Sequence, residues 1–182
     1  SYWEARTKAI MDKQQLNADI TYRKLRKAYI KAIAEIEVDV RRIYNKLKKN
    51  GELNDKQVKE FLNKHKNILI CMRGNCDSIV DVMSSEFLMI DGLSLIYIDD
   101  LNIYLNHGHI YNKNKNKGFN KGILVYGHEH IPYIEKKDNM IYINVGSISL
   151  PRDGNDPTYM IYENKEFTIY DIYGNIVSNI RI

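Results

Sequence analysis

The sequence has few of the residues that interrupt or cross-link a chain. Its 182 residues include two cysteines and three prolines, and no apolar run approaches the roughly 20 residues that a membrane-spanning helix needs. Cys71 and Cys76 do not form a CxxC pair, so we expect reduced thiols and no disulfide scaffold. With no recognisable signal peptide, these absences argue against a membrane or secreted protein and predict a cytoplasmic one.

Charge is unevenly distributed along the chain. Residues 1–66 contain 17 Lys and Arg against 9 Asp and Glu, a net charge of +8, whereas the remainder has 10 against 14, a net charge of −4. The asymmetry predicts two segments with different partners. We expect the basic excess to form a solvated helix face, and we do not favour nucleic-acid binding.

The first segment has the pattern of a long amphipathic helix. Neither proline nor glycine occurs before Gly51, and apolar residues recur at alternating spacings of four and three, at Tyr29, Ile33, Ile36, Val40, Ile43 and Leu47. This stripe predicts helix over residues 3–49. Such a helix cannot bury its stripe alone, so residues 16–47 are expected to contact a second copy or another protein. A short second helix is predicted over 54–65.

After residue 66 the pattern changes to that of strands. Apolar runs separated by turn residues predict eight strands within 67–73, 93–100, 101–107, 122–128, 140–147, 158–164, 167–175 and 176–182. A polar, low-complexity loop, "YNKNKNKGFNKG", occupies 111–122. The chain therefore divides into a basic helical segment, 1–54, and a strand-rich segment, 55–182.

Four polar stretches stand where apolar strands end: "RGNCD", "LNHGH", "YGHEH" and "NVGSISLPR". The carboxyl ends of neighbouring strands meet at one crevice, where His and Asn side chains can bind Mn, Fe, Co, Ni or Zn. Taken singly, a Gly-Asn pair is usually a turn and a lone histidine usually a satisfied core residue. Joint occurrence favours the metal interpretation, because four of the five histidines lie in two of these strand ends.

The order and spacing of these four stretches in residues 55–182 resemble those of the calcineurin-like metallophosphoesterases, specifically the YfcE-type phosphodiesterases. The resemblance rests on "ILICMRGNCDS", "YLNHGHIYN", "GILVYGHEHIPY" and "YINVGSISLPRDGNDPTYMIYE". It implies an α/β fold (α+β as truncated), a partial four-layer β-sandwich preceded by the long helices. It also implies hydrolysis of a small-molecule phosphodiester at a two-metal site, most simply with Mn.

The resemblance further implies a set of site residues. The metal ligands would be Asn75, His107, His128 and His130, with His109 a weaker candidate. His107, Asn75 and Asp77 would serve catalysis, and Asp77 would orient the site or act through Asn75 on the leaving group.

The family's first ligands, in a D-x-H and a G-D, have no counterpart in residues 1–66. The resemblance therefore implies an incomplete active site, and catalytic activity by this chain alone is left open. Losing several ligands should weaken metal binding strongly.

The opening "YWEAR" followed by a long helix resembles phage minor head (head-morphogenesis) proteins over about residues 1–60. This resemblance implies a structural protein of the virion that contacts phage head partners. A third hypothesis is a non-catalytic scaffold that keeps the phosphoesterase fold, as the retromer subunit does. The sequence alone leaves these alternatives open.

Overall fold

The computed structural model describes residues 55–116 and 118–182. The predicted helix over 3–49, its stripe in 16–47 and the phage-like segment 1–54 lie outside them. The described residues form two helices, α1 (Asp55–Lys64) and α2 (Ile79–Ser84), and ten strands: β1 (Ile70–Met72), β2 (Leu88–Ile90), β3 (Leu93–Ile98), β4 (Leu101–Asn106), β5 (Gly122–Tyr126), β6 (Pro132–Lys137), β7 (Met140–Val145), β8 (Thr158–Glu163), β9 (Glu166–Asp171) and β10 (Ile176–Arg181).

Seven of the eight predicted strand ranges contain a strand, the range 167–175 overlaps β9, which begins one residue earlier, and the helix predicted over 54–65 is α1. The sequence did not reveal β2, β6 or α2. Strand β6 begins at Pro132 and ends in two lysines, which are poor strand residues. It is nevertheless stable because it lies at the edge of its sheet, where a proline without an N–H interrupts no further pairing.

The larger sheet has five strands in the order β3-β4-β5-β7-β6. Its three inner strands, β4, β5 and β7, pair in parallel, whereas β3 and β6 pair antiparallel to their neighbours. Parallel pairing brings the carboxyl ends of the inner strands to one rim of the sheet. The residues that follow those strands, at 107, 127 and 146, are therefore adjacent, as the sequence predicted.

The two faces of this sheet are buried by different partners. Odd-numbered residues of β5 and β7 pack with Phe167 and Ile169 of β9, so the three-stranded sheet β10-β9-β8 covers one face. Even-numbered residues of the same strands form a second cluster on the opposite face, with Tyr104, Tyr111 and Phe119. The period of two explains how continuous apolar runs supply both clusters.

The polar loop at 111–122 covers the second cluster because its asparagines satisfy the loop backbone. Asn112, which is 6% exposed, donates to the carbonyl of Gly108 and accepts from the amides of Asn114 and Lys115. Phe119 packs on Tyr104 with 4.6 Å between ring centroids. A stretch that looks featureless in sequence thus begins beside the strand-end rim, at Asn112, and covers this face of the sheet.

The fold prediction is met in part. The described residues form a sandwich of mixed sheets, with a separate parallel pair, β1 and β2, but they support no long amphipathic helix, since their helices have ten and six residues. Neither of these helices has the length or apolar composition that a bilayer span requires.

Candidate metal centre

Three side chains predicted as ligands meet at the rim. Asn75 Oδ1 lies 3.1 Å from His107 Nε2, and His128 Nδ1 lies 3.3 Å from the same His107 nitrogen. Two ligands bound to one ion at about 2.1 Å are separated by about 3.0 Å in octahedral geometry and about 3.4 Å in tetrahedral geometry. The distances from His107 Nε2 to Asn75 Oδ1 and to His128 Nδ1 therefore match the spacing of neighbouring ligands.

A tight turn after β1 presents Asn75. The carboxylate of Asp77 accepts from the amide of Gly74 at 2.7 Å, and Arg73 donates to the Asp77 carbonyl through Nε and Nη2 at 3.1 and 3.0 Å. The amide nitrogen of Asn75 contacts the sulfur of Cys76 at 3.4 Å, which leaves Oδ1 to face His107. In this structure Asp77 thus holds the turn that carries Asn75.

Gly74 in this turn allows the ring of His107 to lie close to the backbone that carries Asn75. A Cβ at Gly74 would lie 3.2 Å from Cε1 and 3.3 Å from Nδ1 of His107, closer than most real Cβ contacts. The glycine between His107 and His109 is equally constrained: Gly108 has a φ of +113°, and a Cβ there would lie 3.0 Å from the carbonyl oxygen of Gly127. Both glycines bring separate strand ends into contact.

The "GHEH" stretch is a strained turn after β5. His128 and His130 have positive φ values of 65° and 63°, a conformation uncommon for residues other than glycine. The amide of Glu129 donates to the carbonyl of Gly127 at 2.7 Å, and the amide of Gly127 donates to the carbonyl of His107 at 3.1 Å. These bonds tie the two histidine-bearing segments together.

His130 is held by the loop after β7. Its Nδ1 lies 2.8 Å from the carbonyl oxygen of Leu150, and its own carbonyl accepts from the amide of Arg152 at 3.1 Å. Because a carbonyl oxygen can only accept, Nδ1 carries the hydrogen in this contact, and Nε2 is the nitrogen available to bind a metal. This is the tautomer that a metal-binding imidazole needs when it coordinates through Nε2.

A buried polar network lies beneath the turn. Asn144 at the end of β7 is fully buried and donates to the Gly127 carbonyl at 2.8 Å and to the Glu129 carboxylate at 3.1 Å. The same carboxylate accepts from the hydroxyl of Tyr133 at 3.0 Å, and that hydroxyl also bonds the hydroxyl of Tyr126. Burial raises the pKa of Tyr126 to about 12, so the Tyr126 hydroxyl keeps its proton at neutral pH.

His109 lies beside the cluster. Its ring centroid is 5.5 Å from that of His107 and 6.1 Å from that of His128. Its Nδ1 is buried and has no hydrogen-bond partner among residues 55–116 and 118–182, which is an uncommon state for a native side chain. His109 therefore stays a weaker candidate ligand than His107 and His128.

The donor set suits a transition metal but lacks a negative charge. In the described part of the chain, no three His, Cys, Asp or Glu side chains are arranged to hold an ion by themselves, so the His107–His128 pair needs the Asn75 amide oxygen as its third donor. Neutral imidazole and amide ligands favour Mn, Fe, Co, Ni or Zn over Ca or Mg. The residues present thus fit part of a metal site.

Burial and mutual repulsion keep the clustered imidazoles neutral. Desolvation, followed by the charges of His128 and His109, lowers the pKa of His107 below its ordinary value, although Asp77 acts in the opposite direction. Desolvation, followed by His109, His130 and Lys115, lowers the pKa of His128. Both rings therefore keep free lone pairs near neutral pH.

We expect the Cε1 protons of His107 and His128 to titrate below pH 6.5 in an NMR titration, since 6.5 is the ordinary histidine value. Between the lowered pKa values and 6.5 the unfolded chain binds more protons than the native one, so stability should fall as the pH falls through this window. Urea unfolding at several pH values measures that slope. Titration of both rings above 6.5 would contradict the prediction.

Three supporting residues escaped sequence reasoning: Arg73, Glu129 and Asn144. Glu129 stands between two histidines, where the motif itself indicates no more than a spacer. Asn144 ends the apolar run "MIYIN", and a polar residue in such a run is a usable signal, because a buried amide must find partners. Nothing in the sequence shows that Arg73 turns back onto the Asp77 carbonyl.

Comparison with known proteins shows which protein family this sequence resembles. The sequence matches the calcineurin-like phosphoesterase superfamily domain over residues 33–166. The match begins inside the segment predicted as 1–54, and the boundary at residue 54 stays a prediction.

Phosphodiesterase YfcE of Escherichia coli K12 is 32% identical over 114 residues, which make up 62% of this chain and 62% of that protein. A solved structure of YfcE, a phosphoesterase from E. coli, superposes with a TM-score of 0.66 at 30% identity and covers 69% of this chain and 70% of that chain. Vacuolar protein sorting 29 from Cryptosporidium parvum reaches a TM-score of 0.48 at 19% identity, over 68% of this chain and 77% of that chain, and we draw no inference from it.

The chain thus spans less than two thirds of the length of its curated relative. The family match nevertheless covers most of the chain, and the fold agrees with that of the 30%-identical solved relative. The chain belongs to the calcineurin-like phosphoesterase superfamily.

Proposed function

We propose that this chain is a metal-dependent phosphodiesterase module with a partial active site. The observation that carries the proposal is the spacing of Asn75 Oδ1, His107 Nε2 and His128 Nδ1, at 3.1 and 3.3 Å. The similarity to phosphodiesterase YfcE supports a phosphodiester as the class of substrate. No described residue selects among phosphodiesters.

Each site residue has a proposed role. Asn75, His107, His128 and His130 would bind the metal, with His109 as the weaker candidate. A bound divalent metal, with Mn preferred and Ni, Fe, Co or Zn possible alternatives, would supply Lewis-acid stabilisation of charge developing on phosphoryl oxygen. Asp77 would act by fixing the turn on which Asn75 stands.

We infer that the activity of this chain alone is low. Residues 1–66 contain no D-x-H or G-D sequence, and the carboxylates near the described site are engaged elsewhere: Asp77 with Gly74, and Glu129 with Tyr133 and Asn144. A divalent cation held only by neutral donors is less stabilised than one facing carboxylates. Full activity would require further ligands from another segment or another chain.

The test is hydrolysis of bis-(p-nitrophenyl) phosphate by the purified chain with Mn²⁺. We expect slow turnover that EDTA abolishes and that Asn75→Ala lowers about tenfold, because one proposed ligand is lost. Asn179→Ala is the matched control, since Asn179 is exposed on β10 and bonds only Glu166 among the described residues. Turnover that is indifferent to EDTA, or equal in both variants, would contradict the proposal.

A non-catalytic scaffold is the second candidate. It is favoured by exposed apolar side chains of α2, where Ile79 is 66%, Val80 71% and Met83 82% exposed, since such patches often mark protein contacts. Stoichiometric Mn²⁺ binding without hydrolysis would support it over the enzyme. The phage-head interpretation and oligomerisation through 16–47 stay predictions, because both concern residues outside the described ones.

A further inference from the structure

A lysine is anchored to the histidine-bearing segment that follows β4. Lys115 Nζ donates to the carbonyl oxygen of His109 at 3.1 Å, and its backbone amide donates to both the carbonyl and the side-chain oxygen of Asn112, at 3.1 and 3.0 Å. Asn112 in turn donates to the carbonyl of Gly108 at 2.9 Å. Backbone and ammonium group are therefore both anchored to the histidine-bearing segment.

This ammonium has no counter-ion in the described part of the chain. The ion pairs there join Lys66 to Glu86, Arg73 to Asp91, Lys113 to Glu135 and Arg181 to Glu166. An ammonium group has three hydrogens, and the His109 carbonyl takes one. Among the described residues, Lys115 thus has no counter-ion, and two of its three hydrogens have no acceptor.

The charge acts on the site itself. Lys115 Nζ is bonded to the carbonyl oxygen of His109, and the ring of His109 lies 5.5 Å from that of His107 and 6.1 Å from that of His128, so the ammonium group lies close to the proposed ligands. The acidic groups close to those ligands are committed to other partners, Asp77 to Gly74 and Glu129 to Tyr133 and Asn144. An anion entering beside His128 would meet a cation that no acidic side chain within 55–116 and 118–182 neutralises.

We propose that Lys115 binds an anionic phosphoryl oxygen of the phosphodiester substrate at this centre. The inference rests on the proposed function and adds a substrate-binding residue that is not a metal ligand. A lysine ammonium is a point charge well suited to phosphate oxygen. Within the low-complexity stretch "NKNKNK", Lys115 would thus have a role in substrate binding.

The experiment measures binding of inorganic phosphate by isothermal titration calorimetry, to metal-free and Mn²⁺-loaded protein. We expect Lys115→Gln to raise the phosphate Kd about tenfold, the loss of one charge-assisted hydrogen bond, and Lys115→Arg to remain within about threefold of the wild type. In hydrolysis assays the change should appear in KM more than in kcat. The Kd for Mn²⁺ and the unfolding midpoint should not change.

Lys121→Gln is the matched control. It removes the same charge from the same loop, but Lys121 precedes β5 whereas the site follows it, about 20 Å away at about 3.3 Å per strand residue. Phosphate binding should be unaffected in this variant.

Equal phosphate affinity in wild type and Lys115→Gln overturns the inference, as does a wild type that binds no phosphate. A weaker phosphate affinity accompanied by weaker Mn²⁺ binding or a lower unfolding midpoint also overturns it, because that pattern is a structural role. If no variant turns over substrate or binds Mn²⁺, the proposed function fails, and the comparison in metal-free protein still decides the role of Lys115.

Discussion

His107→Ala should lower the affinity for Mn²⁺ by about 100-fold or more and return phosphodiester hydrolysis to the uncatalysed rate. His107 is the central member of the cluster, since its Nε2 is the atom that both Asn75 Oδ1 and His128 Nδ1 approach. Removing it leaves those two donors without the ligand between them. The measurement is Mn²⁺ titration by calorimetry, with hydrolysis assayed on the same sample.

His65→Ala is the matched control for this variant. His65 follows α1 and belongs to none of the segments that form the centre. The His65→Ala protein should bind Mn²⁺ with the affinity of the wild type. If His107→Ala kept an affinity within about threefold of the wild type, the metal would have to be bound elsewhere in the chain.

Asn144→Ala should lower the free energy of unfolding by about 3 kcal/mol and weaken Mn²⁺ binding as well. Asn144 is fully buried. Its amide donates to the Gly127 carbonyl and the Glu129 carboxylate, and its oxygen accepts from the amide of Gly146 at 3.0 Å. Alanine removes one partner from each of these three groups, of which Gly146 is buried and Gly127 and Glu129 are half-buried, and the Glu129 carboxylate keeps only its bond from Tyr133.

The same bonds support the "GHEH" turn, in which His128 and His130 hold positive φ values. Strained backbone persists only where its surroundings enforce it, so both histidines should lose their alignment in the variant. Urea unfolding and Mn²⁺ calorimetry measure the two effects. Asn179→Ala, which removes one exposed hydrogen bond, should change neither by more than about 0.5 kcal/mol. An Asn144→Ala protein as stable as the wild type would show that the network carries no such function.

The sequence by itself determined the strands and the identity of the candidate site. Continuous apolar runs bounded by turn residues predict β4, β5 and β7, because strands buried on both faces need apolar residues at successive positions. The polar residues that end those runs had to meet if the strands were parallel neighbours. Parallel pairing of β4 with β5 brings the segments of His107 and His128 together, whereas Asn75 follows β1 of the separate pair and was predicted as a member of the site by the family resemblance.

Only the tertiary structure decided how those residues are held and what surrounds them. Strand β6 contradicts its own propensities and exists because it pairs with β7 at a sheet edge. Asn144 bonds Gly127 and Glu129, which lie 17 and 15 positions earlier in the chain. Lys115, which bonds the His109 carbonyl, lies on a polar loop of low complexity. Hydrogen bonding depends on which groups folding buries together, and local sequence does not carry that information.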